Sequence, residues 1–269
     1  MNSISSLMSL KGRRALITGA GGHLGREFAN TLADLGADLV LVDHPNSNLD
    51  AISKNLEDSY EVTVQTFGCD FEFKSQRDEL IIKLKREIDE LNILVNNAAF
   101  VGASNVSGWN VPFEEQSLET WQRALEVNLT SVFHLTQGLT PLMQNADGAN
   151  ILNISSIYGL YAPNWKFYED TNLSNPAAYG VSKGGVIQLT RWLATTLSPN
   201  IRVNAIAPGG IFRNQDAKFV ERYVLATPLG RMGNEKDVSS ALAYLVSDLA
   251  SYVTGHVLQI DGGWGLTAG

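Results

Sequence analysis

Tyr179 and Lys183 stand four positions apart in the run AYGVSKGG. On a helix that spacing puts both side chains on one face. A free tyrosine has a pKa of about 10 and is a poor base at neutral pH. A neighbouring ammonium favours the phenolate. Bringing the phenol to neutrality takes about 4 kcal/mol, which close charges in a dry pocket supply. A tyrosine tuned this way takes a proton from an alcohol or gives one to a ketone oxygen. Ser156, 23 positions upstream of Tyr179, offers a hydroxyl to the same reacting oxygen. A Tyr-x-x-x-Lys pair also occurs on surface helices that do no chemistry, so the surrounding elements must carry the reading.

Short apolar runs rich in β-branched residues fall at 15–18, 39–42, 62–67, 93–95, 150–154, 201–206 and 257–260. They are continuous rather than alternating, as in strands covered on both faces. Helical patterns lie between them at 24–35, 50–58, 75–88, 118–144, 177–197 and 236–246. This alternation predicts an α/β fold with a parallel, doubly wound sheet. No linker or repeat divides the chain, so one domain over 11–269 is expected, behind a flexible leader at 1–10.

Composition narrows the function. The chain has 269 residues, 44% hydrophobic and 18% charged, with a formal net charge of −8. Its basic residues are scattered, which argues against nucleic acid or an anionic membrane as partner. No apolar run approaches the roughly 18 residues of a membrane span. The opening MNSISSLMSLKGRR lacks a secretory pattern. The single cysteine, Cys69, excludes an intrachain disulfide and fits a reducing, cytoplasmic setting. An inert buried thiol is expected there, and no metal site.

The run ALITGAGGHLGREFA passes from a strand through a glycine cluster into a helix. Gly19, Gly21, Gly22 and Gly25 permit a tight turn and close approach to a pyrophosphate, at which the helix points its positive end. Asp43, after the second strand, can accept from adenosine ribose hydroxyls and repels a 2′-phosphate. Two like charges about 4 Å apart cost roughly 4 kcal/mol at an effective dielectric near 20. NAD is therefore expected over NADP. Asp70 can bond an adenine amino group, and Phe71 can flank the ring.

By now the sequence resembles the short-chain dehydrogenase/reductase family along nearly its whole length. Thr18 to Gly25 is similar to the family's TGxxxGxG turn, NNAA (96–99) to its NNAG segment, and VNLTSVF places Asn128 at its active-site asparagine. NISSIYG supplies Ser156, YGVSKGG supplies Tyr179 and Lys183, and RVNAIAPGG and SDLASYVTGHVLQIDGGW match in order. The resemblance implies a single-domain Rossmann-type sheet of about seven strands with helices on both faces. It implies that Tyr179 is the acid/base and that Ser156 orients the reacting oxygen. Lys183 would hold the nicotinamide ribose, and Asn128 a proton-relaying water. Leu24, Asn97, Ala98, Pro208, Gly209 and Ile211 would line the cofactor, Ile211 through its backbone to the carboxamide. Two positions depart from the pattern. His23 replaces the second glycine, and PGGIFRNQ lacks the family's threonine after Pro-Gly.

The 23-residue interval from Ser156 to Tyr179 exceeds the family's usual spacing, and its extra residues should rim the substrate cleft as a loop over 160–178. A second segment, 100–117, should rim the same mouth. Trp109, Trp165, Lys166, Glu169 and Arg213 are the substrate candidates: rings for a sugar's C–H face, a carboxylate for hydroxyls, cations for a phosphate or carboxylate. The insertion also resembles family members among bacterial surface-sugar and flagellin-modification enzymes. The expected activity is hydride transfer between NAD and a secondary alcohol or ketone on a sugar or sugar derivative. The alternatives are reduction of a non-sugar carbonyl such as a 3-oxoacyl thioester, or a non-catalytic nucleotide-binding scaffold. The family implies a homodimer or homotetramer.

Overall fold

The computed structural model describes residues 3–101 and 106–267. Seven parallel strands form one sheet in the order β3-β2-β1-β4-β5-β6-β7. They are β1 (Arg14–Thr18), β2 (Asp38–Asp43), β3 (Val64–Gly68), β4 (Ile93–Asn96), β5 (Asn150–Ile154), β6 (Arg202–Pro208) and β7 (Val257–Ile260). Strand order reverses between β1 and β4, and such a point opens a crevice at the carboxyl ends of the strands.

Successive side chains along β1 and β2 enter opposite cores. Ala15, Ile17, Leu39 and Leu41 pack with Phe28 and Leu32 of α2 (His23–Asp34), Leu56 of α3 (Leu49–Ser59) and Leu242 of α9 (Glu235–Val246). Leu16, Val40 and Val42 pack with Leu84 of α4 (Lys74–Glu87), Leu139 of α6 (Ser131–Met143) and Leu193 of α7 (Ala177–Leu197). Two apolar cores explain why the strands read as unbroken apolar runs. Truncating a residue at their centre, such as Leu41→Ala, costs about 2–5 kcal/mol.

A third core caps the carboxyl end of the sheet. Phe167 of the 160–178 loop packs there with Phe219 and Tyr223 of α8 (Ala217–Ala226) and Trp264 of α10 (Trp264–Thr267). The loop is therefore anchored by a buried ring as well as rimming a cleft. Helix α8 was not foreseen in the sequence pattern.

Two other segments differ from expectation. The expected flexible leader contains a short helix, α1 (Ile4–Met8), capped by the Ser3 hydroxyl on the Ser6 N–H. Leu10 behind it is fully buried, and its N–H donates to the Leu35 carbonyl at 2.8 Å. The single helix expected over 118–144 is instead α5 (Leu118–Leu125), a π turn over Glu126–Thr130, and α6. The extra residue of a π turn leaves the apolar periodicity intelligible on either side, which is why the sequence reads as continuous.

Candidate active site

The glycine turn follows β1 directly. Gly19 has φ +66°, and a Cβ there would lie 2.8 Å from the Ala98 Cα. A Cβ on Gly25 would lie 2.1 Å from the Gly19 carbonyl oxygen, so the helix can enter this close only as glycine. The N-cap Gly22 contributes no side chain, which leaves the first N–H groups of α2 available to an anion. Beside them, the Asp43 carboxylate accepts the Gly21 N–H at 2.7 Å and its neighbour's His44 N–H at 2.6 Å. The Thr18 hydroxyl accepts the N–H groups of Asn97 and Ala98, both at 3.0 Å, and Asn97 donates its amide to the Thr18 carbonyl at 3.0 Å. The NNAA segment is thereby strapped to the turn.

These groups line a groove of about 510 Å³ with His23, Leu24, Asp70, Phe71 and Arg213. His23 is exposed at the start of α2, and Leu24 is half-buried. Asp70 faces His44 Nε2 at 3.6 Å. Buried Arg77 holds the Phe71 carbonyl and pairs with Glu126 at 2.7 Å, fixing the wall where an adenine would lie. The free helix terminus, the glycine cradle and the carboxylate at the end of β2 fit a nicotinamide dinucleotide. Cys69 belongs to the groove wall but is 1% exposed, and burial pushes its thiol up to about 12, so little thiolate forms at neutral pH.

The opposite end of the crevice is built on α7. The Ser155 hydroxyl donates to the Lys183 carbonyl at 2.8 Å, pinning the end of β5 to this helix. A Cβ on Gly159 would come within 2.7 Å of the same carbonyl, so glycine permits the close approach. Ser156 is buried, its hydroxyl accepts the Tyr158 N–H at 3.2 Å, and it shares a chamber wall with the Tyr179 phenol. Burial raises the Tyr179 pKa, opposed by the Ser156 hydroxyl and by the positive charge of Arg213. Lys183 does not offset this, contrary to the expected lowering by its ammonium. It is itself 3% exposed, donates to the Ile154 carbonyl at 2.8 Å, and is held by burial at about 8. Its Nζ lies 5.9 Å from the Tyr179 ring centre. Desolvation dominates both groups.

Asn128 sits inside the π turn. Its carbonyl oxygen accepts the Phe100 N–H at 2.6 Å and its amide donates to the Ser182 hydroxyl at 3.1 Å. It thus ties the segment after NNAA to α7, one residue from Lys183. Beneath it, Asn96 donates to Asn153 at 2.8 Å and Asn153 to Thr190 at 2.9 Å, linking β4, β5 and α7 through buried amides.

Ser156 and Tyr179 open into an inner chamber of about 250 Å³ with Gly209, Gly210, Gln215 and Met232. Tyr223 accepts the Gly210 N–H at 2.6 Å, which positions the segment after Pro208. Next to the inner chamber lies an outer one of about 820 Å³ that includes Trp165. Tyr158, Tyr168, Leu173 and Ser174 line both and form the wall between them.

The other expected substrate residues are placed elsewhere. Trp109 is buried and packs edge-on against Phe100 at 5.0 Å, lining neither chamber. Lys166 is exposed outside both chambers, and Glu169 offers its backbone carbonyl to Arg222. Arg213 lines the nucleotide groove, not the substrate chambers, and pairs with Glu235 at 3.2 Å. Ile211 has its carbonyl taken by Gln215 at 2.6 Å. Residues 102–105 of the expected second rim lie outside the described residues. Tyr158, Gln215 and Tyr223 were missed. Only Tyr158, two residues after Ser156, carried a local signal.

A fold of this topology with this groove and this Ser-Tyr-Lys grouping defines a nicotinamide-dependent oxidoreductase. The profile of the enoyl-(acyl carrier protein) reductase family matches residues 19–265. A tropinone reductase homolog of Arabidopsis thaliana is 35% identical over 95% of this chain and 93% of its own. A 3-oxoacyl-(acyl-carrier-protein) reductase of Thermotoga maritima is 33% identical over 95% and 99%. The post-translational flagellin modification protein A of Campylobacter coli is 29% identical over 96% and 100%. The NADPH-dependent 3-quinuclidinone reductase of Rhodotorula rubra superposes with a TM-score of 0.85 at 28% identity, over 99% of this chain and 96% of its own. The chain belongs to the short-chain dehydrogenase/reductase family, and it is an NAD(P)-dependent enzyme acting on alcohols or ketones. No helix among the described residues is long and apolar enough to cross a membrane.

Proposed function

We propose that the protein is an NAD-dependent dehydrogenase or reductase that interconverts a secondary hydroxyl and a ketone on a sugar or sugar derivative. The supporting observation is the 160–178 loop. It folds beside Ser156 and Tyr179 and supplies Tyr168, Leu173 and Ser174 to the inner chamber and Trp165 to the outer one. Aromatic faces with neighbouring amides and hydroxyls suit a polyhydroxylated ring. The apolar part of the inner chamber, Ile157, Phe219 and Met232, favours a second reading, a non-sugar ketone.

A nicotinamide held in the groove would supply the hydride chemistry. Tyr179 exchanges the proton of the substrate oxygen, and Ser156 holds that oxygen in line. Lys183 would hold the nicotinamide ribose, and Asn128 a proton-relaying water beside it. Asp43 supports NAD over NADP, because a 2′-phosphate would meet its carboxylate. Exposed Phe133 on α6 and Trp192 on α7 support a homodimer or homotetramer. The cysteine content supports a reducing compartment such as the cytoplasm.

Nicotinamide absorbance with NAD or NADP against sugars, sugar phosphates, nucleotide sugars, alcohols and ketones tests the reading. Turnover of sugars with NAD, lost in Tyr179→Phe, is the expected result. Turnover of non-sugar ketones alone selects the second reading. Nicotinamide binding without turnover across the panel would favour a scaffold.

A further inference from the structure

Both chambers share a property that the sequence pattern does not supply. Among the described residues, no Asp, Glu, Lys, Arg or His side chain lines the inner chamber or the outer one. The four residues at 102–105 are Gly, Ala, Ser and Asn, which also lack an ionisable side chain. Yet charges are plentiful nearby. The loop's own three are Lys166, Glu169 and Asp170, and each is exposed outside the chambers. Asp170 faces Lys218 at 4.0 Å, and Arg213 is turned into the nucleotide groove by Glu235.

The outer chamber instead offers rings and neutral polar groups. Trp165 and Phe113 present exposed faces, and Asn110, Asn172 and Gln116 present amides. The wall between the chambers is itself neutral. The Tyr158 and Tyr168 phenol oxygens lie 2.6 Å apart, and the neutral Asn175 lines the outer chamber with them. Burial raises both phenols, so neither becomes an anion at working pH. Burying a phosphate or carboxylate against such walls forfeits its hydration without a compensating cation. A neutral ring loses little and gains apolar contact.

We propose that the substrate is an uncharged two-part molecule. Its reacting ring occupies the inner chamber, and a second neutral moiety stacks in the outer chamber on Trp165 and Phe113. Sugar phosphates, nucleotide sugars and sugar acids are thereby excluded. This deepens the sugar reading above and rests on it for the identity of the reacting ring. It does not rest on it for the absence of charge.

The test uses the NAD-loaded enzyme and aldohexoses and 6-deoxyhexoses in three forms: free sugar, phenyl glycoside and sugar phosphate. A non-sugar pair, 4-phenoxycyclohexanol and 4-hydroxycyclohexanecarboxylate, runs beside them. Turnover gives KM and kcat, and saturation-transfer NMR gives binding without turnover. The expected result is a phenyl glycoside KM about tenfold below that of its free sugar, with the phosphate about tenfold above or silent. Trp165→Ala, with Phe113→Ala as a second exposed-site variant, should remove the glycoside's advantage, bringing its KM to that of the free sugar. A phosphate or carboxylate that binds as well as its neutral partner overturns the proposal. So does an unchanged glycoside KM in both variants, or no binding by any neutral compound. Silence from every sugar, with 4-phenoxycyclohexanol accepted and the carboxylate refused, supports the uncharged substrate while sinking the sugar reading.

Discussion

The Lys183 ammonium donates to the Ile154 carbonyl at 2.8 Å from a fully enclosed position at the end of β5. One carbonyl does not replace the water an ammonium loses, and burial lowers its pKa from 10.5 to about 8. A lysine whose folded pKa lies below its unfolded value binds fewer protons when folded. Its cost is full below pH of about 8, declines between about 8 and 10.5, and vanishes above. That cost is on the order of 3 kcal/mol. Lys183→Met should therefore raise the melting temperature of the cofactor-free protein at pH 7, with the gain shrinking towards pH 10. Thermal scans across pH would show it. A destabilised variant at pH 7 would contradict the assignment.

Tyr179→Phe removes the exchanging proton but keeps the ring's packing. Turnover should fall by about 10²–10⁴-fold while nicotinamide affinity stays within about threefold. Ser156→Ala should fall less, since it removes one hydrogen bond to the reacting oxygen. Steady-state rates paired with cofactor fluorescence titration separate the two effects.

Asp43→Asn should relax discrimination between the two nicotinamide cofactors. Removing the charge should improve NADP binding about tenfold. The asparagine oxygen can still accept the Gly21 N–H, and only the bond from the His44 N–H is given up. Comparing both dissociation constants reads this directly, and unchanged NADP affinity would assign Asp43 to turn structure alone.

Arg213 faces the groove that contains the glycine turn and the free end of α2. Arg213→Ala should weaken ADP-ribose and NAD about tenfold and leave adenosine unaffected, because only the first two carry the diphosphate. Calorimetric titration of all three ligands checks it. Equal loss for adenosine would mean a general collapse of the groove.

The doubly wound sheet was legible because its strands are apolar on both faces, as Leu16 and Ile17 illustrate by entering opposite cores. The glycine turn and the Ser156, Tyr179 and Lys183 grouping were legible because backbone approach and helix spacing restrict residue type locally. What stayed hidden depended on tertiary contact. Trp109 and Trp165 are both loop tryptophans, yet one is enclosed by Phe100 and the other faces a chamber. Arg213 sits in an irregular segment in which Asn214 adopts φ +54°, and no periodicity tells which way such a turn aims its side chains. The π turn around Asn128 inserts one extra residue into a helix that continues on either side, too little to disturb the apolar pattern of α5 and α6.

Cys69 has a practical consequence. It is the chain's sole thiol, enclosed and held protonated by burial. Alkylating reagents should leave the folded protein unmodified, and catalysis should survive them. A single introduced cysteine then becomes an address that chemistry can find alone. Placed at the exposed 166 position as Lys166→Cys, it would carry a fluorophore onto the loop beside the chambers without a competing label. The enzyme is in this sense already prepared for watching that loop move during turnover, with no background cysteine to remove.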